Sequence, residues 1–243
     1  MEDIVQPIRR PVTMKDQVYE ALRTLILNGR LEPGQPLVEA QLAAQLGTSK
    51  TPLREAFLHL EADGLVTLLP HKGASVTYLS LQELREAQFV RLALEIAAFL
   101  LTVEHISPGE LALARRHLME MQMMVQRGDW DTYRRAHREF HCVLAEATRN
   151  MVLAKLLLDL FDRLQRYSQF CLQGNAIHWR QDEQDHHETF AALERGDRET
   201  FATTFRRMNE QFRVYIEDAL RQHNKQLERY FLDGLDGQRK RKK

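Results

Sequence analysis

Proline placement constrains this chain more than any other feature. Pro7, Pro11, Pro33, Pro36, Pro52 and Pro70 fall in the first seventy residues, and only Pro108 follows. A proline inside a helix costs about 3 kcal/mol, so the stretch after Pro70 is free to be helical while the beginning is cut into short pieces. The later glycines Gly109, Gly128, Gly174 and Gly196 sit where one helical pattern gives way to the next. The expected fold class is mainly α. A small N-terminal module occupies about residues 10–77, and a C-terminal all-helical antiparallel bundle about 80–223, with a short linker around Thr77–Ser80. Residues 224–243 read as a basic tail ending in Arg239-Lys240-Arg241-Lys242-Lys243, a kind of run that is usually solvated and disordered, and no site is assigned to it.

Composition narrows the class of protein. The 243 residues carry 34 Lys+Arg against 34 Asp+Glu, with 44% hydrophobic residues, as in an ordinary soluble protein. The longest apolar stretch, Ile96 to Leu101, is far too short for a bilayer, and the start (Met1, Glu2, Asp3) lacks an apolar signal core, so a cytoplasmic protein without membrane association is expected. Cys142 and Cys171 are too few for a disulfide framework and lack zinc-ribbon spacing. Zero net charge counts against a nucleic-acid partner unless a few placed residues supply the contact. Residues 1–77 hold eight Lys/Arg and nine Asp/Glu, so the N-terminal module must work by placement.

In that module Val18, Leu22, Leu25 and Ile26 recur at helical spacing over about 13–28, with Gly29 as the stop. Pro33-Gly34 forces a turn. A second helix over about 39–46 turns Leu42, Ala43 and Leu46 inward and ends at Gly47. In the third, Ser49 or Thr51 serves as N-cap, Pro52 sits in the first turn, and Leu53, Phe57 and Leu60 face the core. Lys50 and Arg54, four apart, share the opposite face. Leu65–Leu68 and Ala74–Val76 read as two short strands around a basic tip containing His71, Lys72 and Gly73. Three short helices and a hairpin make this N-terminal module a winged helix-turn-helix; its third helix offers unpaired N–H groups, hydroxyls and two long cations to DNA, and the wing tip reaches an adjacent groove. Taken singly, Lys50 and Arg54 read equally as solvated helix charges.

The run Leu42-Ala43-Ala44-Gln45-Leu46-Gly47-Thr48-Ser49-Lys50-Thr51-Pro52-Leu53-Arg54-Glu55-Ala56, followed by Leu60-Glu61-Ala62-Asp63-Gly64-Leu65-Val66, resembles the GntR family of bacterial transcription regulators. The resemblance covers nearly the whole module. It implies that Ser49, Lys50, Thr51 and Arg54 contact DNA, with Lys72 and Gly73 in the wing. Lys50 stands where that family usually has arginine, which keeps the charge and loses the bidentate fork. Leu58 and His59 also stand where arginines are common.

Six helices are expected in the larger domain, at about 80–106, 108–127, 129–147, 150–173, 177–195 and 197–223, with Ser107, Asp129, Asn150 and Asp197 as N-caps and Gly128 and Gly196 as stops. Met119, Met121, Met123 and Met124 read as bundle core and interface. His137 and His141 lie at i and i+4, so both project from one helix face and can chelate a divalent metal. Glu139 lies on another face, unlike in the metalloprotease motif. Asp185-His186-His187-Glu188 forms a second cluster, opening or lining the fifth helix. Alone, each cluster reads as solvated surface histidine.

Across roughly Leu81–Phe212 the chain also resembles the FCD effector-binding domain of the FadR-type GntR branch, with Arg91 and Glu95 on the first helix and the Phe140-His141 to Asn150 stretch following its pattern. The resemblance implies a metal held by four side chains inside the bundle and an organic-acid effector completing its coordination. His141 and His186 match ligand positions; His137 stands where aspartate is usual and Met208 where the last histidine is usual. Three readings follow: a metal site of His137, His141 and His186 for zinc, nickel or manganese; a metal-free pocket whose histidines bond an anionic effector; or a site that has lost its ligand. Arg91 is the natural carboxylate partner in the first two, with Met208 in the pocket wall; equally, Arg91 can form a surface salt bridge with Glu95.

The expected protein is therefore a homodimeric transcription regulator that binds a palindromic double-stranded operator and senses a small organic acid. An enzyme built on the histidines is the competing class, without a placed carboxylate base, nucleophile elbow or cofactor loop to support it. An effector-independent DNA-binding protein is the third.

Overall fold

The computed structural model describes residues 13–69, 73–172, 175–221 and 229–231. The chain divides into two compact units, 1–78 and 79–243.

The first unit contains α1 (Met14–Leu27), β1 (Pro36–Leu37), α2 (Glu39–Gln45), α3 (Lys50–Ala62), β2 (Val66–Leu69) and β3 (Gly73–Val76). A capping box starts α1: the Thr13 hydroxyl accepts from the Asp16 N–H while the Asp16 carboxylate accepts from the Thr13 N–H. Leu22, Ile26, Leu53 and Leu60 are fully buried, so α1 and α3 close on one apolar core, as their spacing predicts. The two expected strands form the wing, with Val66 opposite Val76 and Leu69 opposite Gly73. A third strand joins them: β1 pairs antiparallel with the outer side of β3, giving the order β1-β3-β2. Pro36 is tolerated as the first residue of that edge strand. Gly34 before it is obligatory: its φ is +80° and a Cβ there would lie 2.4 Å from the Tyr78 ring.

The second unit contains α4 (Leu81–His105), α5 (Pro108–Arg127), α6 (Trp130–Ala147), α7 (Met151–Cys171), α8 (Ala176–Arg195) and α9 (Arg198–Arg221). Each boundary lies within a few residues of its expected place. Ser107 forms a capping box with Glu110, Asp129 and Asn150 cap α6 and α7, and Asp197 accepts from the Thr200 N–H. Gly128 and Gly196 close α5 and α8 in the left-handed conformation. Short connections fold consecutive helices onto each other, α5 on α6 and α8 on α9. The methionines divide: Met121 and Met124 are buried, whereas Met119 and Met123 are exposed.

Tyr230 and Phe231, which fall in the stretch read as a basic C-terminal tail, are buried in a cluster with Leu79, Leu84, Tyr167 and Ile216. Two adjacent aromatic side chains give the segment enough apolar surface to dock. The run 239–243 lies outside the described residues.

Candidate functional site

Ser49 is the N-cap residue of α3 and Thr51 falls within the first turn, which decides between the two expected caps. The Ser49 hydroxyl makes no capping hydrogen bond, so the helix N-terminus presents its amides outward. Lys50, Thr51 and Arg54 are exposed along one side of α3, as are Leu58, His59 and, in the wing, Gly73. His71 and Lys72 lie outside the described residues. Arg54 is already engaged: its Nε donates to Glu39 Oε1 and its terminal nitrogen to Oε2, both at 2.9 Å. This bidentate pair joins α3 to the first residue of α2 and fixes the direction of the guanidinium. With 64% of the Arg54 side chain exposed, it orients more than it stabilises. Sequence spacing gave no sign of it, because fifteen residues separate the partners.

Spacing alone reads each histidine cluster as solvated, whereas the resemblance groups His137, His141 and His186. Far from being solvated, His137 and His141 on α6 and His186 on α8 meet inside the bundle. Their Nε2 atoms lie 2.9 Å (137–186), 3.1 Å (137–141) and 3.2 Å (141–186) apart. The cluster Asp185–Glu188 sits mid-helix instead of opening α8. His186 and Asp185 face inward, whereas His187 is half exposed beside Glu183.

The proton positions make this triad a donor set. His186 Nδ1 donates to the Asp182 backbone carbonyl at 2.6 Å, which leaves Nε2 as the ring nitrogen turned toward the other two histidines. His141 Nδ1 faces Glu95 Oε1 at 4.0 Å. Burial pushes His137 down to about 3 and His141 well below the ordinary imidazole range, so both are neutral at physiological pH. Hydrogen bonds among three converging Nε2 atoms cannot satisfy every lone pair. A central cation can: bonds of about 2.0–2.1 Å at angles of roughly 90–110° place ligand nitrogens about 2.8–3.4 Å apart. The residues present therefore fit a metal at this point, with three protein ligands.

Around the triad, Arg91 pairs with Glu95 as one of its two expected readings has it, but inside the bundle instead of on its surface. Its Nε donates to Glu95 Oε1 at 3.3 Å, and the pair lies inside the bundle with side chains 13% and 14% exposed. The guanidinium is flanked by Phe161 and Phe205 at 5.6 and 5.3 Å. Burial raises the Glu95 carboxyl, opposed by Arg91. A cavity of about 40 Å³ adjoins Glu95, His141 and Met208; another, of about 60 Å³, adjoins Arg91, His137, Asp182 and Met208. Met208 thus borders the triad from α9, where the resemblance leads one to expect histidine.

Asp182 escaped the sequence reading. Tyr133 donates to its Oδ2 at 2.6 Å, and its Oδ1 lies 3.7 Å from His186 Nδ1. Burial disfavours its charge, but the surrounding imidazoles and the Tyr133 hydroxyl outweigh that penalty and hold the carboxyl low. Its place four residues before His186 was the available signal.

Comparison with known proteins bears on both units. Residues 14–76 match the family described as bacterial regulatory proteins, gntR family, and residues 86–211, more than half of the chain, match the FCD domain. The chain is 32% identical over 154 residues to the HTH-type transcriptional regulator YdhC of Bacillus subtilis (strain 168), covering 63% of this chain and 69% of that one. It is 28% identical over 189 residues to the HTH-type transcriptional regulator McbR of Escherichia coli (strain K12), covering 77% and 86%. The solved structure of E. coli McbR/YncC superposes with a TM-score of 0.75 at 26% identity, covering 88% of this chain and all of that one. These relatives are transcription regulators by name, which favours the regulator over an enzyme built on the histidines. The chain belongs to the GntR family of bacterial transcription regulators, and its helical half is an FCD domain.

Proposed function

We propose that this regulator binds a palindromic operator as a homodimer and responds to a small organic acid sensed at the histidine triad with the help of a divalent metal. The observation that carries the sensor reading is the convergence of three imidazole Nε2 atoms within 3.2 Å of one another inside the bundle. His137, His141 and His186 would hold the ion, with zinc, nickel and manganese as candidates for this nitrogen donor set. A bound ion would supply a Lewis-acidic positive charge toward a carboxylate. The chain's own residues do the rest. Arg91 offers guanidinium N–H groups to the same anion, Glu95 and the two phenylalanines fix its orientation, and Met208 shapes the wall where a fourth ligand would otherwise stand. Cavities of about 40 and 60 Å³ favour a small effector.

On the DNA side, Ser49, Lys50, Thr51 and Arg54 would face the major groove, with His71, Lys72 and Gly73 of the wing beside it. Two half-sites one helical turn apart require a two-fold protein, which is the reason for the dimer. Effector binding would shift the population between conformations that hold the two DNA-binding units differently.

Elemental analysis of the purified protein after exposure to each metal tests the site. Stoichiometric metal that disappears in His141→Ala is the expected result; absence of metal in the unsubstituted protein would leave the histidines as hydrogen-bonding groups for the anion and remove the metal from this reading. A melting-temperature screen against sugar acids, dicarboxylates and aromatic acids then identifies the effector class, since a ligand selective for the native state raises stability.

A further inference from the structure

Arg54 is the only arginine of α3, and Lys50, which shares its exposed face, has no planar fork. A base contact that needs two parallel donors from this helix can therefore come from Arg54 alone. In a helix-turn-helix the N-terminal residues of the recognition helix meet base edges, and Arg54 is the fifth residue of α3. Its neighbours Leu53, Ala56 and Phe57 are buried in the core of the unit, so the helix carries Arg54 on a fixed backbone.

The guanidinium itself is held by one edge. Nε donates to Glu39 Oε1 at 2.9 Å and to Oε2 at 3.0 Å, and Nη2 donates to Oε2 at 2.9 Å. In the planar fork, Nε and Nη2 share that edge, which leaves the edge formed by Nη1 and the second N–H of Nη2 for another pair of acceptors. Two such donors match O6 and N7 of a guanine in the major groove. The hydrogen bonds from Arg54 hold the Glu39 carboxyl below the ordinary carboxylate range, so the pair is ionised at neutral pH. Charge then separates base from phosphate. With a carboxylate at 2.9 Å the guanidinium offers little net attraction to a phosphate, whereas a neutral base edge asks only for donors.

We propose that Arg54 reads one guanine in each half-site and that Glu39 is the positioning residue that aims it. The inference rests on the reading of α3 as the DNA-contacting helix. A fork held in place before DNA arrives has less side-chain freedom to lose on binding.

Selection from a random duplex library by the full chain supplies a binding site for the test. Fluorescence-anisotropy titrations then compare that duplex, a random duplex, and a set in which 7-deazaguanine replaces one guanine at a time. The replacement removes the N7 acceptor and keeps the base pair. At the guanine read by Arg54 it should cost the unsubstituted chain roughly tenfold or more in affinity. Arg54→Lys keeps the charge and removes the fork, so it should lose that discrimination, retain it at other guanines, and leave the slope of log affinity against log salt unchanged. Glu39→Ala should weaken discrimination at the same guanine and bind the random duplex at least as tightly. Its freed guanidinium can meet a phosphate, which would steepen the salt slope by up to about 0.9. Glu39→Gln, which keeps one acceptor, should fall between, and circular dichroism checks that each variant retains its helices. Undiminished discrimination at every guanine in Arg54→Lys overturns the reading. So does an Arg54→Ala variant that weakens both duplexes equally with a slope shallower by about 0.9, the signature of a phosphate contact. Full discrimination in Glu39→Ala overturns the positioning role. If Lys50→Ala, Thr51→Ala and Arg54→Ala all leave both affinities unchanged, the failure belongs to the reading of α3 itself.

Discussion

At the scale of single residues, the chain places polar groups where burial makes their pairing decisive. The triad is the clearest case, because each imidazole was brought out of water and its lone pair must be used. His141→Ala should therefore abolish the stabilisation that added metal brings, whatever it costs the metal-free protein, a difference read by thermal melts with and without metal. Arg149 offers a different test. It is the one described non-glycine residue with positive φ, at 56°, just past the end of α6, and its guanidinium pairs with Glu110 at 2.7 Å. Arg149→Gly and Arg149→Ala both lose the pair, but only glycine relieves the backbone, so the glycine variant should be the more stable by about 1 kcal/mol in denaturant titration. The pairing of His137 with His141 was legible in the sequence because a helix brings i and i+4 together. Their meeting with His186 was not: dozens of residues and two helix boundaries lie between, and only the packing of the bundle closes that distance. Arg54 with Glu39 escaped for the same reason.

Helices and strands were legible in proportion to the local chemistry that defines them. Ser107, Asp129, Asn150 and Asp197 cap as their positions lead one to expect, because a cap needs only its own first turn. The two-residue strand β1 carries no periodicity, and its existence depends on β3 being there to pair with. The start of α5 lends itself to measurement. Glu110 accepts from Arg149, from the Ser107 N–H and from the Ser107 hydroxyl, which together hold its carboxyl at about 2. The folded value lies below the unfolded one, so this contribution is present above about pH 4.5 and is lost as pH falls through about 2. The melting temperatures of the unsubstituted protein and Glu110→Gln should differ at pH 6 and converge toward pH 2; the gap will be small, since solvent screens the exposed pair. Ser107→Ala removes the reciprocal cap and should cost about 1 kcal/mol.

For the whole molecule, a formal charge of zero conceals an uneven distribution, with a near-neutral reading unit at one end and a block of cations at the other. Two units with separate cores should also respond separately to ligands. Metal or effector should raise the transition of the helical unit and leave that of the N-terminal unit in place, as differential scanning calorimetry would resolve. The division near residue 78 was readable from proline, but the return of residues 229–231 to that point was not, because two aromatics after a helix look no different when solvated. That return has a practical consequence for building chimaeras. Since Leu79 and Ser80 are held by Tyr230 and Tyr167, the helical half transplanted onto another DNA-binding module must begin no later than Leu79 and extend at least through Phe231. A graft trimmed to the matched domain boundaries would leave an open apolar slot at its splice point.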